Sequence, residues 1–189
     1  MIRAILFQRS KLIKRNLVFF LFSCTHVLGQ PGPGDVFREY IWLPNMVAEQ
    51  GKFLRVGGRL DYKNHTEGFI PLLQEVDLQG AVRAEMVVEK LASHEDTRNL
   101  RVSVNGNPTL RFPAAKGIPE PESDYMHHTY PVVEVPLDHL KKGLGNSFRF
   151  DVDTSHRWNW PQNLLYGVIL RIYYHPDKAS VKPSMKGVT

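Results

Sequence analysis

Polar and apolar residues alternate with a period of two along most of this chain. In segment 81–91, Val82, Ala84, Met86 and Val88 fall on one side and Arg83, Glu85, Val87 and Glu89 on the other. An extended backbone turns successive side chains to opposite faces, so this pattern predicts a strand with one face on a core. Leu100, Val102 and Val104 alternate in the same way with Arg101 and Ser103, and 148–153 repeats the pattern. Segment 164–174 predicts a long last strand, with Leu165, Gly167, Ile169, Arg171 and Tyr173 opposing Tyr166, Val168, Leu170, Ile172 and Tyr174. Shorter strands are expected at 68–73, broken by Pro71, and at 132–135, fenced by Pro131 and Pro136. Another is expected to run from Phe53 through Gly57-Gly58 to Tyr62, with a bulge or bend at the glycine pair. Asn105-Gly106 predicts a tight turn because both residues tolerate positive φ, and 110–112 returns from it. Residues 113–129 read as a long irregular loop, and 137–145 as one helical turn at most. No apolar helical period lasts three turns. The expected class is therefore all-β: a two-sheet antiparallel β-sandwich of the jelly-roll kind, not an α/β core.

Three stretches share a grammar. Val102-Ser103-Val104-Asn105-Gly106 is followed by Val133-Glu134-Val135-Pro136-Leu137-Asp138-His139-Leu140-Lys141-Lys142-Gly143, and then by Asn146-Ser147-Phe148-Arg149-Phe150. A strand ending on Asn-Gly, a later strand entering a leucine-lysine turn, and a Gly-x-Asn step launching the next strand resemble galactose-binding-like jelly rolls. Such domains occur as carbohydrate-binding modules and as sugar-binding domains of glycoside hydrolases. Here the step is Gly143-Leu144-Gly145-Asn146, one residue longer than the usual form. The resemblance covers the last half of the domain and is carried by structural motifs. It implies a two-sheet jelly roll that binds sugars through loops at one end, often beside a catalytic domain. Fold alone does not transfer that function.

Charge changes the picture only at the N-terminus. The chain has 189 residues and a formal charge of +5. Five basic residues (Arg3, Arg9, Lys11, Lys14, Arg15) lie in the first fifteen positions, and from Gln30 onward 19 basic residues balance 19 acids. No positive excess survives for a nucleic-acid surface. Basic residues, a short apolar run at 17–22 and small residues before Gln30 match a secretory signal peptide, and the run is too short for a transmembrane helix. A second option is a lipobox at Leu21-Phe22-Ser23-Cys24, which would anchor the chain to a membrane through Cys24. The expected organisation is a signal peptide at 1–29, a linker at 30–34, one domain at 35–175 and a tail or linker at 176–189. Cys24 is the only cysteine, so the domain has no disulfide and no thiolate ligand.

The chemistry-bearing stretches are loops. In 155–163, Trp158 and Trp160 are two residues apart, so an extended loop would present both indoles on one side. His156, Arg157, Asn159, Gln162 and Asn163 are beside them for hydroxyl groups. Aromatic faces rimmed by hydrogen-bonding side chains are what a carbohydrate site needs. The competing role for each tryptophan is closure of the core end. Tyr125, His127 and His128 form a second candidate cluster, with surface or packing histidines as the plainer role. No metal-ligand spacing supports a metal among them. Asp151 and Asp153 share a strand face about 7 Å apart, a separation that paired carboxylates could use, although alternating acids on a solvent face are ordinary. Glu120, Glu122 and Asp124 offer no better pair. Asn64-His65-Thr66 is a glycosylation sequon, relevant only in a eukaryotic host.

The expected function is a secreted or surface-anchored carbohydrate-binding module without catalysis, with a polysaccharide or glycan as partner and no nucleic acid. The ligand contacts would be Trp158, Trp160, His156, Asn159, His127, His128 and Tyr125. No cofactor is implied, and a structural calcium ion stays open. A neighbouring catalytic domain is a second expected partner. Two alternatives stand beside this: a small glycan-active lyase or hydrolase using the loop His/Tyr/Asp cluster, and a structural accessory domain of a larger secreted protein.

Overall fold

The computed structural model describes residues 31–44, 53–92, 99–114, 127–153 and 163–178, with backbone alone at Ala92 and His127. The described residues form two antiparallel sheets. Their strands are β1 (Val36–Trp42), β2 (Leu54–Val56), β3 (Gly68–Pro71), β4 (Ala81–Ala92), β5 (Leu100–Val104), β6 (Leu110–Arg111), β7 (His127–Thr129), β8 (Val132–Val135), β9 (Ser147–Val152) and β10 (Asn163–Tyr174). The larger sheet has the order β1-β10-β4-β7, with β2 also pairing β10 and β8 pairing β4. The smaller sheet has the order β3-β9-β5-β6. The all-β two-sheet expectation holds.

Alternation puts the core between the sheets. Ala84, Met86 and Val88 of β4 join Leu165, Val168, Leu170 and Ile172 of β10. Facing them are Ile70, Leu100, Val102, Val104, Phe148 and Phe150 of the smaller sheet, with Phe112 stacked on Phe150 at 6.2 Å. Each such side chain contributes about 1.5–3 kcal/mol by leaving water.

Local expectations fared unevenly. The strand expected to continue to Tyr62 stops at Val56. Gly57 and Gly58 adopt φ of 106° and 97°, outside the extended region. Gly57 and Thr66 then exchange both backbone hydrogen bonds, at 2.8 and 2.9 Å, closing a surface loop. Segment 113–129 is not all loop, because His127–Thr129 pairs with the end of β4. β1 was hidden in the sequence: its outward side carries apolar Phe37 and Ile41 and its inward side carries Arg38, which blurs the period. β10 contains a bulge. Leu165 opposes Lys90 and Gly167 opposes Glu89, so Tyr166 is an extra residue. The expected alternation reverses there, and Leu165 shares the core face with Val168, Leu170, Ile172 and Tyr174.

Two polar networks fix the strands. At one end, Asn105 takes φ of 53° in the Asn-Gly turn. Its Nδ2 donates to His139 O and to Asn146 Oδ1, both at 2.8 Å, and its Oδ1 accepts from Ser147 N. Asn146 closes the 3-10 turn (Leu137–His139) and the residues after it through Lys141 N and Lys141 O, at 2.9 and 2.7 Å. On the outward face of the larger sheet, Arg171 bonds Glu39 and Glu85, each at 2.7 Å, and Tyr173 donates to Glu85 at 2.7 Å. Burial alone would lower the Arg171 guanidinium; its bonds to Tyr173, Glu39 and Glu85 outweigh that and raise it.

Candidate functional site

Chain connectivity places the candidate segments at one end of the sandwich. β9 ends at Val152 opposite the start of β5, and β10 begins at Asn163 opposite the end of β4. Segment 154–162 therefore joins the sandwich at this end. β7 also begins here, with His127 opposite Ala92. Trp158, Trp160, His156, Asn159 and Tyr125 lie outside the described residues, as do Glu120, Glu122 and Asp124. His127 is placed by its backbone in β7. His128 is described in full.

His128 is half-exposed and belongs to a row of rings. Its ring lies 5.1 Å from that of Tyr166, tilted by 51°, and Tyr166 lies 5.6 Å from Phe53, tilted by 59°. These centroid gaps fall in the usual range for aromatic pairs. By strand parity, all three residues face outward on the larger sheet: Leu54 and Leu165 point inward, so Phe53 and Tyr166 point out. The bulge makes this row. Without the extra residue, Tyr166 and Val168 would share a face, and one of them would leave its present environment.

Charged groups flank both ends. Arg55 holds its guanidinium 5.1 Å from the centre of the Phe53 ring. Glu89 Oε1 lies 3.2 Å from His128 Nδ1. The carboxylate can only accept and the ring nitrogen facing it can donate. The row thus offers ring faces and edges together with a donor guanidinium, an acceptor carboxylate and an oriented imidazole. Gly167, opposite Glu89, bears no side chain; a Cβ there would sit 3.7 Å from Glu89 Oε2.

Beneath the row, on the core side, Lys90 is 4% exposed and Asn163 is 0% exposed, so Asn163 starts β10 inside the core and is not the loop hydroxyl-bonding residue expected from sequence. Lys90 Nζ donates to Asn163 Oδ1 at 2.7 Å. Burial pulls the Lys90 ammonium down from 10.5 to about 7. Asn163 Nδ2 is buried with no hydrogen-bond partner.

The carboxylates considered for acid–base work are committed elsewhere. Asp151 holds His65 Nε2 at 2.9 Å and Arg101 at 3.2 Å, and Asp153 pairs with Arg111. They act as cross-strand ion pairs on the outward face of the smaller sheet, the plainer of the two roles considered for them. Among the described residues, no three His, Cys, Asp or Glu side chains gather as a metal site.

Sequence reasoning found His128 and missed Phe53, Arg55, Glu89 and Tyr166. A signal for the bulge was present: Leu165 and Val168 are both strong core formers yet three apart, with a glycine between them. For Phe53 and Arg55 the signal was the parity of Leu54 and Val56 once those are assigned to the core.

No protein-family model matches the chain, and no curated protein matches it. Solved structures do. A beta-porphyranase of glycoside hydrolase family 86 from the human gut bacterium Bacteroides plebeius gives a TM-score of 0.50 at 12% identity, covering 75% of this chain and 21% of that one. An exo-beta-1,3-galactanase from Phanerochaete chrysosporium gives 0.37 at 18% identity, covering 72% and 27%. A family 35 carbohydrate binding module from Clostridium thermocellum gives 0.36 at 17% identity, covering 69% and 96%. Only the first of these bears on the fold, and at such identity it bears on nothing finer. The chain spans about a fifth of the porphyranase's length. The fold is a two-sheet antiparallel jelly roll, similar to one stretch of a much longer glycoside hydrolase.

Proposed function

We propose that this chain is an exported, non-catalytic carbohydrate-binding jelly roll whose ligand is a polysaccharide or glycan. The ring row Phe53–Tyr166–His128, flanked by Arg55 and Glu89, carries this reading. Sugars present C–H faces that pack on rings and hydroxyls that bond to charged and imidazole groups, and the row supplies both. Consecutive gaps of 5.6 and 5.1 Å allow neighbouring sugar units to meet neighbouring rings. Trp158, Trp160, His156, Asn159, Tyr125 and His127 are the further contacts in this reading, because their segments join the sandwich at the same end. The basic, then apolar, leader supports export. The likeness to part of a larger hydrolase fits a neighbouring catalytic domain.

The test is affinity electrophoresis of the chain through gels containing agarose, porphyran, galactan, xylan or pectin, with and without calcium. Retention in at least one gel is expected. Tyr166→Ala should abolish it while the circular dichroism spectrum stays native. Migration unchanged in every gel, or retention that survives Tyr166→Ala, Trp158→Ala and Trp160→Ala alike, would overturn the reading.

A further inference from the structure

Among the described residues, Arg59, Arg83, Arg101, Arg111, Arg149 and Arg171 each pair with a carboxylate, and Arg38 bonds the Tyr40 hydroxyl. Arg55 is the one described arginine with neither kind of partner. Its exposed guanidinium rests by the Phe53 ring alone, 5.1 Å from the ring centre. An aromatic face attracts the cation but leaves its N–H donors unfilled. A matched pair on the smaller sheet shows the difference. There Arg149 lies 5.9 Å from the exposed Phe69 ring, and Glu67 neutralises it at 2.6 Å. The pair at the ring row lacks that carboxylate.

Strand register fixes where this cation stands. Arg55 opposes Leu164, Leu164 opposes Leu91, and Leu91 opposes His128, so the four form a line across β2, β10, β4 and β7. Three strand spacings, about 14 Å, separate Arg55 from His128. Leu164 and Leu91 between them are half-buried and uncharged. Arg55 thus stands at the Phe53 end of the row, and Glu89 stands at the His128 end, 3.2 Å from that ring. The two ends are opposite in charge. A ligand lying along the rings meets a guanidinium at one end and a carboxylate at the other. An anionic group is favoured at the first and repelled at the second, where hydroxyl donors fit instead. A guanidinium fork can give two parallel N–H bonds to the oxygens of one anionic group.

We propose that the ring row is built for an acidic glycan: Arg55 takes a carboxylate or sulfate group on the sugar unit at Phe53, and Glu89 with His128 takes hydroxyls of an uncharged unit at the other end. This names the ligand class of the row and rests on the carbohydrate-binding reading above. It also gives the bound chain a direction, with its charged unit over β2 and its uncharged unit over β7.

The experiment is affinity electrophoresis of the full chain in two uncharged gels, agarose and galactan, and two acidic ones, porphyran for sulfate and partly methyl-esterified pectin for carboxylate. At least one acidic gel should hold the wild type about tenfold more tightly than either uncharged gel, and which one tells sulfate from carboxylate. Added salt should weaken that preference. Arg55→Gln should erase it while leaving retention in the uncharged gels as it was. Arg149→Gln, an equal loss of charge on the other sheet, should keep it. Glu89→Gln should also keep it and tighten retention in the acidic gel; a weaker preference there would overturn the assigned direction. Equal loss in Arg149→Gln would show attraction by overall charge and overturn the proposal. An acidic preference that survives Arg55→Gln would overturn it too, as would uncharged gels that hold the wild type as tightly as acidic ones. In these last two cases the carbohydrate-binding reading stands. Wild-type migration unchanged in all four gels overturns both. Arg55→Met removes the same charge and serves if Arg55→Gln does not fold; failure of both to fold would make Arg55 structural and overturn the proposal.

Discussion

At the end of the sandwich where β5 turns toward β9's start, Asn105 and Asn146 use both their amide oxygens and nitrogens in hydrogen bonds. At the other end, Asn163 is as buried as Asn146 and leaves Nδ2 with no partner, beside a lysine held in the core. At the first end both asparagine amides are satisfied, as buried polar groups usually are, although His139 Nδ1 is buried there without a partner. The second leaves an asparagine amide unsatisfied, adds a bulge, and displays rings on the outward face directly above. Departures from packing rules tend to gather where a surface is shaped for something other than stability. The difference sets an end whose asparagines are fully bonded against one that carries the bulge and the rings.

The contrast can be broken or sharpened by experiment. The largest effect is expected at Asn146. Asn146→Leu strands Lys141 N and O and one Asn105 bond, each worth about 1–3 kcal/mol when left buried. Urea denaturation should show a loss of at least about 3 kcal/mol. A loss below about 1 kcal/mol would erase the distinction between the two ends.

The next effect is the pH dependence set by Lys90. Its folded value of about 7 lies below its ordinary 10.5. Below pH 7 both states carry the proton and the cost of burying it is complete. Between about pH 7 and 10.5 the unfolded chain binds more protons, so stability rises with pH, by a few kcal/mol in all. Melting temperature followed from pH 6 to 10 should climb in the wild type. The Lys90→Met variant should lack this contribution, and a wild-type profile equal to the variant's would show that the lysine is not buried as described.

Smaller changes in stability should accompany large changes in binding at the ring row. Tyr166→Ala removes a half-buried ring and should cost about 1 kcal/mol by chemical denaturation. His128→Gln breaks an exposed pair with Glu89, worth about 0–1 kcal/mol, and should leave the melting curve almost unmoved. If either variant unfolds the chain, the row belongs to the structural set, and the contrast between the ends is lost.

The structural end was the legible one. Asn105-Gly106 announces its turn because few residues accept positive φ, and the chain after Pro136 announces a single helical turn by its length. Strands β4, β5 and β9 were readable because each has one apolar and one polar face. β1 was not, because Phe37 and Ile41 make its outward side apolar. The ring row was readable at His128 alone. Its other members depend on pairings between β2, β4, β7 and β10, residues far apart in sequence, and on one extra residue that inverts the parity of half a strand. Local pattern carries no information about such a register shift until the partner strand is known. The tryptophan segment, chosen from residue type, lies outside the described residues, so apart from His128 the row rests on different side chains from those first singled out.

The pairing of Val36 with Tyr174 has a mechanical consequence. β1 and β10 are neighbours, so the chain enters and leaves the sandwich side by side, at the end of β10 remote from Tyr166. A tether on either terminus would leave the ring row at the end away from its anchor. A pull applied between the two termini would load the β1–β10 ladder one bond at a time, peeling β1 from the edge like a zip, while the strands that carry the rings stayed paired. Such a domain would yield at its attachment before the ring row was disturbed.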